Sequence, residues 1–97
     1  MTSRGPQQRE HVRVEDPSGR AVATATCFFS TWSDERSGDA RWRGFLAAIE
    51  PAGAIRPGRY EIVLASGARA VVVVSELRSE PREQAVFNGV GRPPPEG

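Results

Sequence analysis

The chain has 97 residues, of which 38% are hydrophobic and 26% charged. This balance argues against an intrinsically disordered protein and predicts one small globular domain. A formal net charge of +1 excludes the strongly basic field that many polyanion-binding domains use, and a single cysteine excludes an internal disulfide. The 13 basic residues are all arginine, a bias typical of a GC-rich coding sequence. Because no apolar run suits a signal peptide or a membrane span, we expect a bacterial cytoplasmic protein.

The two ends of the chain differ in composition from its middle. Residues 1–9 are polar and predict a flexible N-terminal arm, and residues 92–97 (RPPPEG) predict a disordered proline-rich tail. A single domain is therefore expected over residues 10–91. Its first strand is predicted at 11–15 (HVRVE), where apolar and polar side chains alternate. The sequence DPSG at 16–19 then predicts a tight turn.

Two further strands are expected in the next part of the chain. Residues 20–30 place small side chains on one face of a strand and β-branched side chains on the other. After a polar loop at 31–40, the alternation over 41–49 predicts a third strand with Trp42 on its core face. Gly44 lies on the same face, and a glycine within a strand predicts a bulge or the close approach of a ring.

The most regular part of the sequence is a predicted β-hairpin at 59–77 (RYEIVLASGARAVVVVSEL). Its centre, Ser66-Gly67, predicts a two-residue turn. That turn would pair Ile62 with Val71 and direct both toward the core. Three other valines would then lie on the outer face: Val63, Val72 and Val74. Loops, a terminus or another protein would have to cover that face.

The predicted strands define a fold class. A last short strand is expected at 85–90 (AVFNGV), which brings the number to six. Consecutive strands with short connections pair antiparallel, and a chain of this length closes its edges most easily as a barrel. We therefore predict an all-β fold, a small antiparallel barrel or barrel-like sandwich of OB-like or SH3-like size with negligible helix.

The sequence contains no pattern that predicts catalysis. Its one histidine, His11, stands beside the predicted arm without the surroundings of a catalytic triad. Cys27 is interpreted as a small buried hydrophobic residue. His11 and Cys27 also lack the spacing of a metal site. We therefore expect that the protein is not an enzyme and has no catalytic residue, metal or cofactor.

The leading functional prediction is a non-enzymatic module for protein–protein interaction or self-association, with a homodimer expected. Apolar side chains occur on both faces of several strands, whereas a small barrel has only one interior to bury them. A partner or a second copy of the chain would cover the others. The predicted interface residues are Phe28, Phe45, Val63, Val72 and Val74.

The alternative prediction is the binding of single-stranded nucleic acid or a nucleotide. In small barrels, a strand face that carries aromatic and basic side chains can stack bases and hold phosphates. The residues predicted for such a face are Arg41, Arg43 and Phe45, together with Trp32, Arg59 and Arg69. The flanking acidic residues favour a different interpretation, in which these arginines pair with acids on an exposed strand.

A short N-terminal pattern also bears on nucleotide binding. Arg9 and Arg13 have an R-x-x-x-R spacing, and DPSG follows at 16–19. This pattern resembles the PilZ family of cyclic-dinucleotide receptors, β-barrels of similar size in which paired arginines and a separate D-x-S-x-x-G motif hold the ligand. The resemblance implies that Arg9 and Arg13 bind a nucleotide. The chain departs from the family because the second motif follows after only three residues and because Gly19 comes one position early.

Overall fold

A computed structural model describes residues 7–94, which form a closed barrel of six antiparallel strands. The strands are β1 (Gln8–Glu15), β2 (Ala21–Ser33), β3 (Ala40–Glu50), β4 (Gly58–Leu64), β5 (Arg69–Arg78) and β6 (Gln84–Val90). The predicted all-β class and small barrel are thereby confirmed. Most of the predicted arm and the end of the predicted tail, residues 1–6 and 95–97, lie outside the described residues. Residues 7–94 include no helix of the length and apolarity needed to cross a bilayer.

The order of the strands around the barrel differs from their order in the chain. The order is β1-β2-β3-β6-β5-β4, and β4 pairs with β1 to close the barrel. After β3 the chain therefore crosses to β4, which does not pair with β3. The connection carries Ile55, which is 1% exposed and packs into the core. A loop residue thus completes the interior that the strands enclose.

An aromatic cluster fills part of the barrel interior. The ring of Trp42 makes edge-to-face contacts with Phe29 and Phe87, with ring centroids 5.7 and 5.5 Å apart. All three side chains are buried, which confirms the predicted inward direction of Trp42. The indole lies against Gly89, where a Cβ atom would come within 2.0 Å of the ring. Only glycine therefore fits beside this tryptophan.

The β4–β5 turn differs from the prediction. It has three loop residues, 65–67, because the Leu64 N–H donates to the Ala68 carbonyl at 2.8 Å and Gly67 adopts a φ of 92°. The register consequently moves by one residue, and Ile62 pairs with Ala70 instead of Val71. Side chains alternate between the two faces of a strand, so this shift turns every side chain of β5 to the other face.

The new register changes the placement of two of the predicted interface residues, and burial limits a third. Val72 and Val74 point into the barrel, where they are 0% and 1% exposed, so the prediction that a partner contacts them is wrong. Val63 does lie on the outer side, with Arg13 and Arg69 as its neighbours on the two adjacent strands. It is only 9% exposed, so it also offers little surface to a partner.

Several strands extend further than the sequence predicted. β1 begins at Gln8, so the last two residues of the predicted arm belong to the barrel. β2 and β3 extend into the predicted loop at 31–40 and leave only residues 34–39 between them. At Gly44 the neighbour that comes close is the backbone of β2, since a Cβ there would lie 1.8 Å from the Phe28 carbonyl oxygen. The close approach predicted at Gly44 exists, but it involves no ring.

Candidate functional site

Two phenylalanines stack on the outside of the barrel. Phe28 on β2 and Phe45 on β3 are directly paired across the strands, and their ring centroids are 4.9 Å apart with an interplanar angle of 18°. Neighbouring strands are about 4.8 Å apart, which matches the distance between the ring centroids, so the two rings stack face to face across the strands. Both side chains are half-buried. Neither ring belongs to the buried core cluster. The two rings therefore form an apolar ridge on the outer face of the sheet.

The phenylalanine pair lines one part of a groove of about 590 Å³. The apolar part of the groove continues from Phe45 along β3 to Ala47 and Ile49. Arg9 lies on the β1 side, where it is the cross-strand neighbour of Phe28. Arg82 contributes from the connection between β5 and β6. We call this feature the outer groove; it is an apolar surface with an arginine on each side.

Among the described residues, the outer groove is lined by two arginines and one acid. Neither Arg9 nor Arg82 forms an ion pair with another residue of the described part of the chain. The acidic residue that lines the groove, Glu83, accepts hydrogen bonds from the Gly53 N–H at 2.9 and 3.2 Å. That contact fastens the β3–β4 connection to the β5–β6 connection and shapes one wall of the groove. Two cations are therefore left without an acidic partner beside an apolar surface.

Two of the predicted nucleic-acid residues belong instead to an ion-pair cluster on the β1–β4–β5 side of the barrel. Glu15 contacts Arg13 and Arg69, each at 2.9 Å, and Arg69 also contacts Glu61 at 2.6 Å. The side chain of Glu15 is only 8% exposed. Hydrogen bonds from Arg69, and then from Arg13, lower the pKa of Glu15 below its usual value of 4.5. The two cations and two anions cancel, so this cluster presents no unpaired arginine to a phosphate.

The predicted face of arginine and aromatic side chains is present on β2 and β3, but its two arginines already contact other residues of the protein. Arg41 forms a 3.2 Å ion pair with Asp34. Arg43 lies over the ring of Trp32, with its guanidinium carbon 5.3 Å from the centroid, a cation–π contact. Arg59 is on β4, across from Val73 and away from this face. The arginines predicted to work together are therefore divided among different parts of the barrel.

The two parts of the PilZ-like pattern occupy opposite ends of one strand. Arg9 lines the outer groove, whereas Arg13 binds Glu15. The carboxylate of Asp16 accepts hydrogen bonds from backbone N–H groups of its own turn, at Ser18 and Arg20. At about 3.3 Å per residue, Arg9 and Asp16 are roughly 23 Å apart along β1. The pieces do not converge on one ligand site.

His11 and Cys27 are on opposite sides of the sheet. His11 is exposed on the outer face, 3.5 Å from the Thr26 hydroxyl, and Cys27 is fully buried in the core. Burial raises the pKa of the Cys27 thiol to about 12, which keeps it protonated and unreactive at neutral pH. Its interpretation as a buried hydrophobic residue is confirmed. No group of three potential metal-ligating side chains occurs among residues 7–94.

A second cavity, of about 860 Å³, lies where β3 and β6 separate. Its walls are the tip of the β2–β3 hairpin, including Trp32, and the chain after β6, including Arg92. Trp42 also lines it, and the indole Nε1 of this side chain has no hydrogen-bond partner in the described part of the chain. The Nε1 atom is fully covered, so a molecule in the cavity would not touch it. Sequence reasoning did not identify this cavity, because the two segments are far apart in the chain.

The chain matches no protein-family model, no curated protein and no solved structure. Its function is therefore inferred from the surface of the barrel. The outer groove combines an apolar pair, two unpaired cations and a defined wall in one place. The sequence did not predict that Arg82 and Glu83 belong to this site. Both lie in a charged turn, and nothing in that turn indicates contact with a hydrophobic pair on distant strands.

Proposed function

We propose that this barrel is a non-enzymatic protein-interaction module and that its contact surface is the outer groove. One observation carries the proposal: Phe28 and Phe45 stack on the outside of the barrel, apart from the cluster of buried side chains that forms its core. A contiguous apolar patch that stays partly exposed is costly to hydrate and is typical of sites that another molecule covers. The five interface residues predicted from the sequence are thereby reduced to these two.

The size of the groove limits how tightly apolar contact alone can hold a partner. Burial of about 200 Å² of apolar surface, counted on both partners, contributes roughly 5 kcal/mol at about 25 cal/mol per Å². Association costs about 4–15 kcal/mol in lost translational and rotational freedom. The apolar ridge therefore supports a weak complex by itself. Polar contacts at its border would be needed for a stable and selective one.

A different protein is a better occupant than a second copy of this chain. In a symmetric dimer the same patch meets itself, so the arginines that border one groove would face those of the other. Like charges that meet across an interface are unfavourable. Among residues 7–94, the one acidic residue that lines the groove, Glu83, is outnumbered by the two arginines. A cytoplasmic partner protein is therefore our proposal, and the homodimer is an alternative outcome of the test.

Binding of single-stranded nucleic acid has less support from the geometry. Bases stack on the faces of aromatic rings, but Phe28 and Phe45 turn one face each toward the other. The ring of Trp32 is covered by Arg43. Arg41 is paired with an acid. A nucleic acid would have to displace these contacts before it could use the same groups.

The proposal is tested by quantitative capture from a lysate of cells that express the protein naturally. The baits are the parent chain, a Phe28→Ser/Phe45→Ser double variant and a Val73→Ser control. Val73 is also on the outside and 38% exposed, but it lies outside the groove. We expect that the parent and the control capture the same proteins and that the double variant does not. Circular dichroism should show that all three baits are folded.

Three results would contradict the proposal. Retention of the same proteins by all three baits would show that the groove is not the contact surface. A dimer in the native mass spectrum of the parent, lost in the double variant, would indicate self-association instead of a partner. An oligonucleotide that co-purifies with the parent and is lost on Arg43→Ala would favour nucleic-acid binding.

A further inference from the structure

We propose that the occupant of the outer groove is a short acidic protein segment, with an apolar side chain over Phe28 and Phe45 and a carboxylate toward each bordering arginine. This inference rests on the proposed function and adds the chemistry of the partner. The observation behind it is the position of two cations without an ion-pair partner among residues 7–94, which line the same groove as the apolar ridge: Arg9 beside Phe28 and Arg82 in the β5–β6 connection. An occupant that covers the ridge must come close to both of them.

The geometry of the sheet sets the spacing of the segment. A single row of cross-strand neighbours runs from Arg9 on β1 through Phe28 and Phe45 to Val86 on β6. Three strand spacings of about 4.8 Å give this row a length of roughly 14 Å. Arg82 lies four residues before Val86, in the connection that leads into β6, and lines the same groove. An extended chain covers the length of this row in about four residue steps, which places at least about three residues between the acidic positions.

The bordering groups favour carboxylates over other partners. Each guanidinium presents a planar set of N–H donors that fits both oxygens of a carboxylate. A partner that covers the groove removes water from Arg9 and Arg82, so a neutral or basic segment would leave two cations poorly solvated and unpaired. A segment with acids at both ends offsets this cost. The border therefore selects the charge of the partner, while the ridge supplies apolar contact.

The remaining charges near the groove do not reverse this preference. Glu83 is engaged by the Gly53 N–H, and its charge would repel an acid only on the β6 side, next to Arg82. His11 lies one row away on β1, where its imidazole faces Thr26. Arg43 lies one row away in the other direction, across from Asn88. This third cation strengthens the positive field around the ridge.

The probe for this inference is a random peptide library displayed on phage and selected on the full-length parent protein. We expect the selected peptides to be enriched in Asp and Glu on both sides of an apolar residue, relative to the unselected library. Their binding should fall about tenfold or more in an Arg9→Glu/Arg82→Glu double variant. An Arg59→Glu variant carries the same kind of charge reversal on β4, outside the groove, and should bind like the parent.

The outcomes separate this inference from the proposed function. One contrary result is that the selected peptides need Phe28 and Phe45 but show no acidic enrichment; another is that they still bind after the charge of both arginines is reversed. Either result would refute the inference of an acidic segment and leave the proposed interaction surface standing. Peptides that bind the Phe28→Ser/Phe45→Ser variant as well as the parent would overturn the interaction surface itself. Absence of any enriched peptide would count against both. Weaker binding of the selected peptides in high salt would support the role of the arginines.

Discussion

The register of the β4–β5 hairpin can be tested by one pair of nearly isosteric substitutions. Val72→Thr replaces a methyl group by a hydroxyl at a side chain that is 0% exposed. Burial of a hydroxyl without a hydrogen bond costs about 1–3 kcal/mol in proteins. Val73→Thr makes the same change on the adjacent, 38% exposed side chain. Surface substitutions of this kind change stability by about 0.5 kcal/mol or less.

The assay is chemical denaturation followed by tryptophan fluorescence, with thermal unfolding as a second readout. In a domain of this size, 1 kcal/mol corresponds to a change of about 4–8 °C in Tm. We therefore expect Val72→Thr to lower Tm by several degrees and Val73→Thr to leave it nearly unchanged. In the register with a two-residue turn the two valines exchange faces. A larger loss for Val73→Thr than for Val72→Thr would thus refute the three-residue loop and the assignment of Val72 to the core.

Three further predictions concern the core and the ion-pair cluster. Gly89→Ala should cost about 1–3 kcal/mol through its clash with Trp42, and clearly less in a Trp42→Leu background; equal costs in both backgrounds would argue against the clash. Because the pKa of Glu15 is lowered in the folded state, its ion pairs stabilise the protein above the unfolded-state pKa, and this contribution is lost as the pH falls through the folded-state pKa. Denaturation midpoints of Glu15→Gln should accordingly depend less on pH below about 4.5 than those of the parent, and parallel curves would contradict this. Cys27, with a thiol pKa of about 12, should react with a thiol reagent only after denaturation, so rapid labelling of the native protein would contradict its burial.

The class of fold could be predicted because each strand carries its own local signal. Alternation of apolar and polar side chains identified the strands, and turn residues separated them. The DPSG turn forms as expected, with Gly19 at a φ of 88°. The order around the barrel could not be derived in the same way, since the pairing of β4 with β1 and of β3 with β6 joins segments that are distant in the chain.

The error at the β4–β5 turn has a definite physical cause. A serine–glycine pair is compatible with a two-residue turn and with a three-residue loop that ends in a left-handed glycine. Both place Gly67 at positive φ, so the local sequence does not distinguish them. The four consecutive valines that follow did not resolve the choice, because either register buries two of them. Packing against the rest of the barrel decides which two.

The candidate site was only partly predictable for a related reason. Phe28 and Phe45 were recognised as apolar residues on outward-facing positions, and the structure brings them into contact. The other half of the site depends on Arg82, in a loop that reaches the pair only after the barrel closes. The acids that neutralise Arg41 and Arg69 also come from other strands or turns, whereas Arg13 pairs with Glu15 of its own strand. A sequence shows which charges exist, but the fold determines which of them stay unpaired.

The most direct test of the central claim is chemical-shift mapping by NMR of the isotope-labelled protein, titrated with the tightest peptide selected on it. The account predicts that the largest changes fall on β2, β3 and the β5–β6 connection, around Phe28, Phe45 and Arg82, and that the Arg9→Glu/Arg82→Glu variant needs about tenfold or more peptide to reach them. Changes concentrated instead around Trp32 and Arg92, at the cavity where β3 and β6 separate, would place binding at the other end of the sheet. That result would contradict the outer groove as the interaction surface.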